Sequence, residues 1–138
     1  MSQENVETVQ RAWAEVGGRV RLDDPVLMAS LLPWVSPDVE VVRAQHPIEP
    51  VVHGHEGLTK ALAEWANELD ELEVTLERVL DAGDKVVAVT RWSGTGRTSG
   101  AAFDVESVDV LTFARGQVVR WEVYLDRAEA LKAAGLEE

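Results

Sequence analysis

Residues 108–124 read VDVLTFARGQVVRWEVY, two runs rich in β-branched and aromatic residues broken by Ala114-Arg115-Gly116. Such runs around a glycine-containing turn predict an antiparallel hairpin. A three-residue loop with Gly116 in the left-handed region opposes Phe113 to Gln117 and therefore sets Asp109 across from Trp121. Cross-strand partners share a face and alternate residues return to it. Phe103, Val105, Ser107, Asp109, Leu111 and Phe113 thus line up with Val119, Trp121, Val123 and Leu125 on a face that is apolar except at Ser107 and Asp109.

Working outward, the segments 72–80, 85–94, 103–113 and 117–125 are separated by DAGD, TGRTSG and ARG, all turn chemistry, and read as a meander of antiparallel strands. In the first hairpin, a loop at Ala82-Gly83 is expected to oppose Leu80 to Lys85 and hence Val74 to Arg91, which puts Arg91 among inward-facing valines. Asp126 and Glu129 form a cap for a closing helix that Gly135 stops. Before the meander, Ser2 caps a helix with apolar residues at Val6, Val9, Trp13 and Val16, stopped by Gly17-Gly18. Asp24-Pro25 starts a short second helix carrying Leu27, Met28, Leu31 and Leu32, and Pro33 ends it. A strand follows at 39–43, then a surface loop at 44–50 with two prolines. A third helix begins at Gly54 or His55, with Leu58, Ala61, Leu62, Trp65 and Leu69 on one face. Helices followed by a run of antiparallel strands give an α+β class, with helices on the concave side of a curved sheet.

The 138 residues fit one domain spanning 1–138, and 46% hydrophobic content suffices for one core. A net charge of −12 repels phosphate backbones and anionic membranes, which argues against nucleic acid and membrane partners. With no cysteine there is neither a disulfide framework nor a thiolate site. The N-terminal segment lacks a basic region followed by an apolar one, and no run approaches the ~18 apolar residues of a membrane span, so a cytoplasmic location is expected. The HGHEG segment brings His53, His55 and Glu56 together, but zinc needs a further ligand at suitable spacing and none stands nearby. That segment is read as a strand-to-helix junction with His53 at a pocket rim; no metal and no cofactor are expected. Five tryptophans against one tyrosine supply flat apolar surface, for a core or for the walls of a pocket.

The order of elements, the HGHEG junction, the DAGDKVVAV hairpin and the closing GQVVRWEVYLDRAEAL together resemble the SnoaL-like branch of the NTF2-like superfamily over nearly the whole chain. The resemblance implies a cone-shaped, curved antiparallel sheet with helices packed on its concave side around an apolar pocket, and a homodimer formed through the outer sheet face. The superfamily holds ketosteroid isomerases, polyketide cyclases, epoxide hydrolases and proteins without catalysis, so the fold alone names no reaction. Asp109 stands where ketosteroid isomerases carry an aspartic acid that hydrogen-bonds an oxyanion, an enzyme often cited for a carboxyl kept neutral at pH 7. The tyrosine of that oxyanion site falls at Trp13 and the general base at Arg43. Arg91 resembles the arginine of limonene-epoxide hydrolases, whose carboxylates fall here at Ser93 and Val123.

The candidate site therefore joins Asp109 and Arg91 as catalytic residues to Trp13, Arg43, His53, Trp121 and Val123 as ligand contacts. Two arginines against one aspartate suit a small apolar ligand that carries a carboxylate or enolate oxygen. Three functions are open: isomerase-, cyclase- or hydratase-type proton transfer on an apolar carbonyl or carboxylate compound, ligand binding without chemistry, and a dimeric interaction module whose cavity is filled by its own side chains.

Overall fold

The computed structural model describes residues 2–16, 18–19, 21–43, 46 and 48–136. Apolar residues three to four apart build helix α1 (Ser2–Val16), which buries Val9 and Ala12. The Ser2 side-chain cap and the Gly17 stop expected at its ends lie outside the described residues, as do Ala44, Gln45 and Pro47 of the 44–50 loop. A two-residue strand β1 (Gly18–Arg19), with no sequence signal of its own, pairs with the sheet edge. Helix α2 (Pro25–Leu31) starts as its cap predicts: the Asp24 carboxylate accepts the Val26 N–H at 2.9 Å. Pro33 then turns the chain through a single 3-10 turn, Leu32–Trp34.

Strand β2 (Val35–Arg43) starts four residues earlier than expected, because an irregularity between Val35 and Glu40 absorbs Ser36-Pro37-Asp38 without ending the pairing. Strand β3 (Val51–His53) leads into helix α3 (Gly54–Glu68) through Gly54 at φ 75°. The meander follows as β4 (Leu69–Ala82), β5 (Lys85–Gly96), β6 (Ala102–Ala114) and β7 (Gln117–Tyr124). Helix α4 (Arg127–Ala133) closes the chain, with Asp126 accepting the Ala128 and Glu129 N–H groups and Gly135 at φ 79° beyond its end.

The α+β class and the curved sheet are as expected, with two departures. The sheet order is β1-β4-β5-β6-β7-β2-β3, and β2 runs parallel to β7, so the sheet is mixed and open at β1 and β3. Helices α1 and α3 pack over the inner face, against a core that includes Val74, Val86, Ala88, Leu111 and Trp121. Helix α4, in contrast, lies on the outer face, where Ala130 and Ala134 cover Val87, Val89, Val108 and Val110. Valines on both faces of β5 and β6 require cover on both sides.

The registers fix which residues meet. At the β6–β7 turn the loop has two residues, Arg115 and Gly116, with φ 56° and 78°, and Ala114 pairs with Gln117. Alone, that loop would place Leu111 opposite Arg120; a one-residue irregularity beside Thr112 and Phe113 restores the facing, so Leu111 meets Trp121 and Asp109 meets Val123. Asp109 thus keeps its inward face, two residues along from the expected partner. In the β4–β5 hairpin Ala82 pairs with Lys85, and a shift between Leu76 and Arg78 leaves Arg91 opposite Thr75 and Trp92 opposite Val74. This overturns the expected Val74–Arg91 pairing: Trp92 turns inward and Arg91 outward.

A second shift, between Asp70 and Glu73, bends β4 over β5 at Gly94, where an added Cβ would stand 2.7 Å from the Asp70 carbonyl oxygen. Gly94→Ala should therefore cost about 1–3 kcal/mol, the usual price of overpacking, as read from urea unfolding. A change below about 0.5 kcal/mol would mean that the two strands can part there freely.

Candidate functional site

Between α1, α2, α3 and the inner sheet face lies a cavity of about 70 Å³. A single water needs about 10–15 Å³ by the same measure, so the space is on the order of five waters. Four tryptophans contribute to its wall: Trp13 from α1, Trp65 from α3, Trp92 from β5 and Trp121 from β7. Leucines, valines and an alanine make up the rest, apart from Asp109, the one ionisable side chain among the described residues of the lining. Trp121 packs against Trp13 with ring centroids 6.2 Å apart and against Trp34 at 5.8 Å, while Trp65 meets Trp92 edge-on at 5.8 Å. Such offset and edge contacts each add about 0.5–1.5 kcal/mol beyond burial, which stiffens the wall.

Asp109 is 4% exposed, pairs with Ala88 on one side and Val123 on the other, and is among the residues that line the cavity. Its Oδ2 accepts the Trp121 indole N–H at 3.0 Å and its Oδ1 accepts the Ser107 hydroxyl at 3.3 Å. Burial pushes its pKa from the ordinary 3.8 up to about 6, although both hydrogen bonds favour the ionised form. A second pair of contacts runs alongside. Trp92 donates its indole N–H to the Thr90 hydroxyl at 3.1 Å, and Thr90, fully buried, donates to the Ser107 carbonyl at 2.9 Å. Both indoles that face this strip of sheet thus spend their N–H inside the wall.

Of the residues expected at the site, Trp13, Asp109, Trp121 and Val123 line the cavity together. Arg91 does not. It stands on the convex face, its side chain 43% exposed, between Glu77 at 3.2 Å and Asp104 at 2.8 Å, because the β4 irregularity reversed its facing. Arg43 shares the inner face with Val41 but lies beyond the cavity along β2. It is sealed at 3% exposure, donating to Glu64 at 2.6 Å and to the Glu49 carbonyl at 2.7 Å, with its Nε buried and unpartnered. His53 is 69% exposed beside Glu40 on the outer face, not at a pocket rim, since β3 pairs it directly with Glu40. His55 turns the other way and bonds the Val35 carbonyl oxygen at 2.8 Å. Among the described residues no group of three or more histidines, cysteines or carboxylates converges as a metal site would.

The wall residues Trp65 and Trp92 and the buried hydroxyls of Thr90 and Ser107 complete the site. Trp65 was legible as part of the apolar face of its helix, whereas Trp92 follows Arg91 and shared its misassigned facing. No helix among the described residues is long and apolar enough to cross a membrane.

With fold and cavity described, the class follows: an open curved sheet under helices, holding an apolar cavity with one carboxyl in its wall. The chain belongs to the SnoaL-like domain family, whose sequence profile matches residues 24–121. Among solved structures it is similar to a protein from Jannaschia sp. CCS1 provisionally named a SnoaL-like polyketide cyclase, at 24% identity and TM-score 0.76, with 99% of this chain and 95% of that one covered. It is also similar to Bal32a, from a soil-derived mobile gene cassette, at 19% identity and TM-score 0.74, covering 96% of each chain. An NTF2-like protein of unknown function from Burkholderia pseudomallei matches at 18% identity and TM-score 0.73, over 94% of this chain and 95% of that one. At these identities the likeness establishes the fold. No curated protein sequence matches the chain.

Proposed function

We propose that the protein is a small-molecule pocket protein in which Asp109 exchanges one proton with an apolar carbonyl compound, in chemistry of the isomerase or cyclase type. The observation that carries this is a buried carboxyl, raised to about 6, in the wall of an otherwise apolar cavity. A group that titrates near neutrality is present in both forms, as proton exchange requires. Among the described residues the lining brings no second ionisable side chain. One carboxyl must then both remove and return the proton, which favours a shift in which the proton leaves and rejoins the same face of the substrate. Carboxylate substrates fit less well than neutral ones, because neither Arg43 nor Arg91 reaches the lining.

The test is exchange in D2O, followed by NMR, of the α-protons of a panel of cyclic and aryl ketones. Wild-type protein should accelerate exchange of at least one member, and Asp109→Asn should reduce that acceleration about 10²–10⁴-fold, the usual weight of a positioned acid or base. Exchange unchanged in Asp109→Asn would remove Asp109 from the chemistry. Arg91→Ala should leave the rate within about twofold, since the guanidinium stands on the other side of the sheet. A tenfold loss there would contradict the register. The second reading, ligand binding without chemistry, is favoured by the absence of a partner base beside Asp109 among the described residues and predicts binding with no exchange. The homodimer implied by the resemblance would use the outer sheet face beside α4, where the half-exposed Glu40 and Arg120 pair.

A further inference from the structure

The cavity has an electrical sign opposite to the one its sequence neighbourhood promised. Asp109 faces it without a countercharge: Arg43 is held by Glu64 and the Glu49 carbonyl outside the lining, and Arg91 is held by Glu77 and Asp104 on the convex face. The groups that do touch the carboxylate, the Trp121 N–H and the Ser107 hydroxyl, are neutral. A buried anion with only neutral partners is short of the Coulombic compensation that usually offsets its desolvation. An occupant of opposite charge would supply it.

The rest of the wall is suited to the same occupant. Four indoles border the cavity, and indole is the side chain that attracts cations most strongly through its π face. The N–H groups of Trp92 and Trp121 are tied to Thr90 and Asp109, so what these rings offer a ligand is carbon and π surface. Among the described residues no lysine or arginine borders the space to repel a positive charge. At long range the net charge of −12 raises the local concentration of cations around the protein.

We propose that the cavity takes a small ammonium-bearing molecule, a protonated or quaternary aliphatic amine whose nitrogen lies among the tryptophans with Asp109 as its counterion. The inference rests on the cavity being a ligand site and is independent of the proton-transfer step. A carbonyl compound that also carries an aliphatic amine satisfies both. The Ser107 hydroxyl and the Trp121 N–H act as positioning groups that orient the carboxylate and favour its ionised form.

Three probes of one shape separate the possibilities: choline, its uncharged carbon isostere 3,3-dimethylbutan-1-ol, and the anion 3,3-dimethylbutanoate. Each is titrated at constant ionic strength against the intrinsic tryptophan fluorescence, with calorimetry as a second readout. Choline should bind at least tenfold more tightly than the isostere, and the anion more weakly than either. Asp109→Asn should bring the choline-to-isostere ratio below about threefold, mainly through weaker choline binding. Should that variant not fold, Trp65→Leu, which keeps an apolar wall but removes one π face, should lower the ratio severalfold. An isostere or anion that binds as tightly as choline overturns the charge assignment and leaves the cavity a ligand site. If none of the three probes, and no ketone of the panel, perturbs the tryptophans, the cavity is closed and both proposals fall.

Discussion

Trp121→Ala should lower the unfolding free energy by about 3–5 kcal/mol, the range for a buried large aromatic truncated to alanine. Three losses combine in that figure. The ring is 7% exposed and sits where α1, the 3-10 turn and the sheet meet, in contact with Trp13 and Trp34. Its removal enlarges a cavity already present, and an enlarged cavity is not refilled by relaxation of a stiff aromatic wall. It also removes the N–H that supports the Asp109 carboxylate. Trp121→Phe separates the packing from the hydrogen bond: most of the stability should return, while the Asp109 pKa should rise further, because a donor to its ionised form is gone. Urea unfolding of the two variants checks the first part. A loss below about 1.5 kcal/mol for Trp121→Ala would show that the ring is not the junction of these elements.

The second large effect is a dependence of stability on pH. The Asp109 carboxyl is raised from 3.8 to about 6 in the folded protein, so between these values the folded state binds more protons than the unfolded one. The stability this contributes is complete below pH 3.8 and is lost as pH rises through about 6. At roughly 1.4 kcal/mol per pKa unit the loss is about 3 kcal/mol. Carboxylates lowered by arginine or lysine partners, as at Glu64 beside Arg43 and Glu106 beside Arg127, contribute with the opposite sign at and below the ordinary 4.5 and so overlap the acid end of this window. The comparison with Asp109→Asn cancels them. The variant carries an amide that does not titrate, so its stability relative to wild type should rise by about 2–2.5 kcal/mol between pH 4 and pH 7. A difference that stays flat across that range would mean that Asp109 is solvated.

The same two hairpins explain how much of the site could be read from residues alone. The helices and the four meander strands were legible because helical spacing, caps and turn residues are local, whereas the two-residue β1 and three-residue β3 carry no such signal. Facing depends in addition on every irregularity in a strand, and a one-residue irregularity arises from the curvature of the sheet rather than from a residue type. In the β6–β7 hairpin the expected loop was one residue too long, and the irregularity near Phe113 compensated, so Asp109 was placed on the correct face. In the β4–β5 hairpin the shift between Leu76 and Arg78 was uncompensated, which exchanged Arg91 for Trp92 and reversed the charge of the site. Arg43 shows a different limit. The resemblance put it in the pocket, and it does share the inner face with Val41, but a family position carries no information about how far along the strand this cavity reaches, and Arg43 lies past it among Glu49 and Glu64.

The central claim is that one buried carboxyl, Asp109, stands in the wall of an apolar cavity, and carbon-13 NMR titration of the aspartate side chains tests it most directly. One aspartate resonance should titrate with a midpoint near 6 and be absent from the spectrum of Asp109→Asn. A midpoint for Asp109 at or below the ordinary 3.8 would place the carboxyl in water or against a cation and would contradict the account.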